Sequence, residues 1–376
     1  GARVRVLIDG RWVYRGPVSG RRVLRSVLAE WATRPIAATT TVVFDIKDAD
    51  IARSEFATFP GRVEFARYPT TLVANSTTLQ AVARRVDADV AFFQYHAPVR
   101  PMCPTVTLVH DGIIFTAPEN FSRTERVYMQ WSRTGARRST RVLTVSFAER
   151  DRLARLGFTD PDLIDVLHWA PDAGFRPVDQ QSAGAIAEVR ARFGLPERFV
   201  LYVGRMNRRK RIDVLCEALQ RLGWPIPLVI VGPRDGLVPE IERYAEHFRE
   251  LGFVSDTDLQ LITALADVFV YPSVDEGFGL PVLEAMAAGA TVVTTDVPAL
   301  REVAGDGALL VPPDDPAALA TAIDTAFQPE VARELRHRAT ARAASFTWTA
   351  TCDAIEESLR RAVGEDARPR RRVSVP

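Results

Sequence analysis

Apolar positions along the 376-residue chain fall in short unbroken runs separated by stretches with helical spacing. In the first half the runs are Val4–Ile8, Thr41–Phe44, Val90–Phe93, Val106–Val109 and Val142–Val145. Between them Arg22–Trp31, Thr77–Val86 and Glu125–Arg138 place apolar residues at the helix period. The second half repeats the rhythm. Its runs are Phe199–Val203, Leu228–Val231, Val268–Tyr271, Thr291–Thr294 and Leu309–Val311, with helices expected at Ile212–Leu222, Pro239–Glu250, Thr257–Ala266 and Pro316–Ala326. Strands so short and continuously apolar, each followed by a helix, indicate parallel sheets covered on both faces. The expected fold class is α/β, with two doubly wound parallel-sheet domains whose ligands sit at the carboxyl ends of the strands, in a shared cleft.

The length agrees with two cores rather than one. The seam is Trp169–Gly184, rich in Pro, Asp, Gln and Gly and without periodicity. It divides the chain into an N-terminal domain at 1–175 and a C-terminal domain at 176–348, with a last helix at Thr349–Val363 returning to the first domain. The tail 367–376 carries Arg368, Arg370, Arg371 and Arg372. It reads as a disordered end, the alternative being contact with an anionic membrane.

Composition narrows the classes. Lys and Arg number 48 against 47 Asp and Glu, a net charge of +1, which offers no general field for a nucleic-acid backbone. Cys103, Cys216 and Cys352 lie far apart, with neither metal-ligand nor disulfide-framework spacing. No apolar run reaches the roughly 20 residues of a membrane span. Gly1–Asp9 already reads as a strand, with no secretion signal among these residues. The expectation is a cytoplasmic enzyme, with association at the inner membrane face open through the tail.

The most informative segment runs from Tyr271 to Gly289, Y-P-S-V-D-E-G-F-G-L-P-V-L-E-A-M-A-A-G. A strand ends, a loop follows, and a helix starts with Pro281 in its first turn. Gly277 and Gly279 allow close backbone approach, and amides around Gly279, Leu280, Val282 and Leu283 would point out of the helix start, where a diphosphate is favoured. Glu284, in the first turn, is suited to accept both ribose hydroxyls, and Glu276, before the loop, to meet hydroxyls of a sugar. On spacing alone, a cap and a helix-dipole carboxylate are equally good readings.

The string E-G-F-G-L-P-V-L-E-A-M-A-A-G resembles the Glu-x7-Glu signature of glycosyltransferase family 4, retaining enzymes with two facing Rossmann-like domains, the GT-B architecture. The resemblance implies that Glu284 holds the donor ribose and that Glu276, with Gly277, Phe278, Gly279 and Leu280 around it, faces the donor sugar. Val203-Gly204-Arg205-Met206 to Lys210-Arg211 is similar to the family's phosphate-binding string, with Arg205 and Lys210 as its cations; Arg211 stands where the family has Gly. Two cations at a strand end also suit a leaving diphosphate. Arg208 and Arg209 read as solvated. Gly252-Phe253-Val254 is similar to the loop that cups the base.

In the first domain, strand Val106–Val109 ends in His110-Asp111. From position alone a structural His is the better reading; the resemblance to the family's His-Asp pair implies a donor-sugar contact for His110, with Asp111 orienting it or reaching the acceptor. Gly16 and Gly20 flank a turn suited to phosphate, but Val18 and Ser19 depart from the adjacent glycines usual in the family. Tyr95 and His96 follow strand Val90–Phe93 and are acceptor candidates, although a loop anchor explains them as well. Val145-Ser146 reads as a structural strand end before a helix.

The implied activity is transfer of a sugar, with retention, from a nucleotide diphosphate sugar to a glycan, lipid-linked or natural-product acceptor. Catalytic candidates are Glu276, His110, Arg205 and Lys210. No metal or other cofactor is expected, because Asp48-Ala-Asp50 precedes a helix and reads as a cap. A nucleotide-sugar epimerase of the same architecture and a non-catalytic sugar-nucleotide binder are the alternatives. Donor base, donor sugar, acceptor and oligomeric state are open at this level.

Overall fold

The computed structural model describes residues 4–16, 18–234 and 239–366; the basic tail lies outside them. The chain forms two compact units, one reaching Trp169 and resuming at Trp348, the other Ala170–Thr347. The division falls at the start of the Trp169–Gly184 seam, before the boundary expected at 175.

The first unit holds seven strands: β1 (Val6–Asp9), β2 (Thr40–Asp45), β3 (Arg62–Ala66), β4 (Val90–Gln94), β5 (Thr105–Leu108), β6 (Arg141–Thr144) and β7 (Ile164–Val166). Their order is β3-β2-β1-β4-β5-β6-β7, and every pairing is parallel. The second unit holds six: β8 (Val200–Val203), β9 (Leu228–Val231), β10 (Phe248–Gly252), β11 (Val268–Tyr271), β12 (Thr291–Thr295) and β13 (Leu309–Val311). These run β10-β9-β8-β11-β12-β13, again all parallel. Strand order reverses between β1 and β4 and between β8 and β11, and such switch points open a crevice at the strands' carboxyl ends.

Burial explains the strand composition. Every residue of β1, β2, β4, β5 and β6 is buried, as is every residue of β9, β11 and β12, so these strands are mainly apolar, with Thr, Arg141 and the strand-end Asp9, Asp45 and Gln94 as their polar residues. The helix at Trp348–Asp366 packs on the first unit, burying Cys352, Ile355, Leu359 and Ala362. Arg34 fastens it through Asp353 at 2.7 Å and Glu356 at 2.9 Å.

Two local expectations need correction. Pro239–Glu250 is not an α-helix: a 3₁₀ segment covers Pro239–His247 and β10 begins at Phe248. Asp48 does stand before the helix Ala49–Glu55, but its side chain makes no capping bond; it takes Arg15 instead, Nε–Oδ2 3.2 Å.

Candidate functional site

In the second unit, β8 and β11 deliver their loops to one crevice. After β8, Asn207 caps a short turn through the Lys210 amide at 3.3 Å. The following residue, Arg211, sits in the left-handed region at φ +49°, a conformation that costs a non-glycine residue on the order of 1–2 kcal/mol. The turn is kept despite the missing glycine, because Arg211 is anchored to Asp314 at 2.8 Å and Asp213 at 3.2 Å. After β11, Val274 donates to the Arg209 carbonyl at 3.1 Å, stitching the two loops together.

That stitch places Glu276 among cations. Lys210 Nζ pairs with Glu276 and with the Tyr271 hydroxyl, and stands 4.7 Å from the Tyr271 ring centre. Arg209 reaches the same carboxylate at 3.0 Å and also binds the Asp275 carbonyl. Ser273 donates to Glu276 as well. Burial opposes ionisation of Glu276, yet Arg209 and Lys210 outweigh it and hold the carboxyl down at about 2. Arg209 is therefore a site residue and not a solvated one; its place in a run of like charges hid it. Neighbouring Arg205 is exposed, and its carbonyl accepts from the Tyr202 hydroxyl at 3.0 Å. Gly204 follows the end of β8 just before it.

The helix Leu280–Ala287 begins at Gly279, whose φ of +104° excludes most side chains and where a Cβ would meet Leu300 at 2.4 Å. Its first turn is tighter than expected. Val282 and Leu283 give their amides to the Gly279 carbonyl at 3.0 and 3.2 Å, so neither points outward. With proline at 281, the amides at the helix mouth are those of Gly279 and Leu280. Phe278 is buried against Phe346, ring centres 6.1 Å apart, beside Gly277. Glu284 is buried one turn in. At the end of β10, Gly252 leads to Phe253, 82% exposed, and buried Val254.

In the first unit the corresponding crevice lies after β1 and β4. Gln94 ends β4, and its side-chain oxygen meets His110 Nε2 at 2.5 Å; Asp111 instead accepts the Ile113 amide at 3.1 Å. His110 Nδ1 is buried without a partner, and burial pushes the ring's pKa down to about 3, so it is neutral. Tyr95 occupies φ +56° with its ring 5.0 Å from His110 and 5.9 Å from Trp12. His96 is buried edge-on to Tyr128 at 4.3 Å; burial and then Arg11 lower its pKa to about 3, and neither ring nitrogen has a partner. Gly16 and Gly20 both lie against Trp12, where a Cβ would stand 2.6 and 3.2 Å from its ring. Ser146 caps the helix Phe147–Arg155 through the Glu149 amide. Trp12 carried no motif and was missed.

The second unit carries the family match. Residues 197–328 match the family described as glycosyl transferases group 1. The matched segment contains the Lys210, Arg209 and Glu276 cluster and the Gly279 helix start. Over 256 residues the chain is 36% identical to the O-antigen chain mannosyltransferase B of Escherichia coli, covering 65% of this chain and 66% of that protein. Identity to the D-inositol 3-phosphate glycosyltransferase of Mycobacterium ulcerans is 32% over 247 residues, covering 62% of this chain and 52% of that one. The match thus spans between half and two thirds of these relatives. Anabaena HepE, solved with UDP and glucose, shares the fold at TM-score 0.70 and 19% identity, over 95% of this chain and 99% of that one. The two parallel-sheet units are those of the GT-B architecture. No helix among the described residues is long and apolar enough to cross a membrane.

Proposed function

We propose that the chain is a glycosyltransferase that moves a sugar from a nucleoside diphosphate sugar to a glycan, lipid-linked or natural-product acceptor, with retention and without a metal ion. The observation that carries this reading is the coincidence of two things on residues 197–328: the group 1 match, and a helix start lying beside Lys210, Arg209 and Glu276. The names of the relatives, a mannosyltransferase and an inositol phosphate glycosyltransferase, and the UDP held by HepE support the same class.

Lys210 and Arg209 are already charged and already held, with Glu276 as their counter-ion. A diphosphate arriving beside Arg205 and the Gly279–Leu280 amides takes over Lys210, and Glu276 is released to accept hydroxyls of the donor sugar. As the glycosidic bond to the diphosphate breaks, its electron pair stays on the phosphate, where these cations stabilise it. The departing phosphate takes the acceptor proton on the face the acceptor approaches, which retains the anomeric configuration. Glu284 holds the ribose, and His110, neutral and buried with Nε2 donating to Gln94, accepts from a sugar hydroxyl at Nδ1.

Thermal unfolding of the purified chain with UDP, GDP, TDP and ADP, each with and without EDTA, tests the reading. One of the four should raise Tm, since a ligand of the folded state stabilises it by RT ln(1 + [L]/Kd), and by the same amount in EDTA. No response to any of them overturns the donor class; a response abolished by EDTA overturns metal independence. An inverted product anomer by NMR removes retention alone.

A further inference from the structure

Arg211 stands where the resembled family has glycine, and the reaction proposed above makes no use of it. We propose that Arg211 and Asp314 form a latch on the turn that carries Lys210, and that Asp314, through Arg211, is a positioning residue for that cation. The latch is argued from this chain's geometry alone; its effect on Lys210 rests on the transferase reading.

The turn does not hold itself. Its own hydrogen bonds are loose, with Lys210 N at 3.3 Å from Asn207 Oδ1 and 3.1 Å from the Asn207 carbonyl, and Arg211 N at 3.3 Å from the Arg208 carbonyl. Its last residue is a non-glycine at φ +49°, a strain that glycine in that place would not feel. Arg211 also opens the helix Ile212–Arg221 without a side-chain capping bond, so the helix start does not account for an arginine. Its guanidinium is instead divided between carboxylates. One edge meets Asp213 at 3.2 Å from both Nε and a terminal nitrogen, and the other terminal nitrogen meets Asp314 at 2.8 Å. A group so committed does not offer its charge to a phosphate.

Asp213 belongs to the helix that Arg211 opens, but Asp314 comes from a separate and stiffer place. It lies in Val311-Pro312-Pro313-Asp314-Asp315-Pro316, where three prolines fix the backbone, and Asp315 caps the helix Pro316–Ala326 through the Ala317 and Ala318 amides at 3.0 and 2.9 Å. That helix packs on Ile212–Arg221, so the latch ties the turn to a rigid neighbour. Two part-exposed ion pairs together are of the same order as the strain they offset, and losing one leaves the strain unmatched. The need is greatest when a diphosphate takes Lys210 from Glu276, because the turn then gives up its tie to that carboxylate.

Asp314→Asn removes the charge while keeping a residue that tolerates the left-handed backbone at φ +60°, so Tm should hold. Amide exchange at Lys210 and Arg211 should become about tenfold faster in this variant, and less than about twofold faster when Asp314→Asn is made in an Arg211→Gly background. No change in the parent background, or the same change in both, overturns the latch. Calorimetry with UDP, GDP, TDP and ADP then reads the consequence. Whichever binds the parent should bind Asp314→Asn about tenfold more weakly, with the loss confined to the background that has Arg211. Unchanged affinity beside faster exchange overturns the positioning role. Absence of binding by all four to the parent sinks the transferase reading and with it that role, while the latch still stands or falls on exchange.

Discussion

The two crevices are built alike and finished differently. Each opens where strand order reverses, at β1/β4 in one unit and β8/β11 in the other. In the second unit the buried polar groups find one another, with Glu276 taking Lys210, Arg209 and Ser273. In the first, Trp12 Nε1, Asn75 Oδ1, both His96 nitrogens and His110 Nδ1 are buried with no hydrogen-bond partner. The contrast follows from the cost of burying charge. An ion cannot wait in a low-dielectric crevice without a counter-ion, since the penalty is several kcal/mol even after relaxation. A neutral donor or acceptor left unpaired costs about 1–3 kcal/mol, which a folded domain tolerates. The second crevice thus stores its buried charge as an internal ion pair, and the first, beside its own buried Arg11–Asp9 pair, also keeps unpaired neutral groups.

Removing a cation breaks this comparison most sharply. Lys210→Ala should cost on the order of 2–4 kcal/mol in transition-state stabilisation, because the group acts on charge that develops as the bond breaks. The fold should survive, as Arg209 and Ser273 still hold Glu276. His96→Phe in the other crevice should behave oppositely in stability, holding or raising Tm by deleting two unpaired nitrogens. Turnover of folded Lys210→Ala within about threefold of the parent would remove the leaving-group role.

The two glutamates sharpen the distinction within the second unit. Glu284→Ala should weaken the free nucleoside diphosphate by about 1.5–3 kcal/mol, the range for hydrogen bonds to a charged group. Glu276→Ala should leave that affinity nearly unchanged, or raise it by freeing Lys210, while weakening the intact donor. Calorimetry that finds equal diphosphate affinities for the parent and Glu284→Ala would move the ribose elsewhere.

How much was legible in the sequence follows from the same physics. Strands buried on both faces are unbroken apolar runs, so β2, β4, β5, β9, β11 and β12 could be read directly. The strands β3, β7 and β10 could not. They are sheet edges, only partly buried, and Arg62-Val-Glu-Phe-Ala, Ile164-Asp-Val and Phe248-Arg-Glu-Leu-Gly mix charge into short runs. On the donor side, local motifs named Lys210 and Glu276, but their pairing joins loops 66 residues apart, and Arg209 was masked by its like-charged neighbours. Trp12 and Tyr128 in the first unit had no motif at all. They meet Tyr95 and His96 only through the order of the strands.

Acid should separate the units by the smallest but most diagnostic effect. His96 and His110 are kept neutral by burial, with folded values of about 3 against 6.5. As pH falls below 6.5 the unfolded chain takes up these protons first, so stability is lost from 6.5 downward, by up to about 1.4 kcal/mol per histidine per pH unit. Glu276 works later. Its unfolded carboxyl protonates near 4.5 while the folded one holds until about 2, so its contribution is lost only across that lower window. The first unit should therefore weaken around pH 5.5, where the Glu276 cluster is still intact. Tryptophan fluorescence can follow it, because Trp12, Trp31, Trp131, Trp169 and Trp348 belong to the first unit and only Trp224 to the second. His96→Phe should shift the acid midpoint downward, having one fewer site for the unfolded chain to protonate. An unchanged midpoint in that variant, or amide exchange showing the second unit opening first between pH 6 and 5, would mean that the buried histidines do not set the difference between the two units.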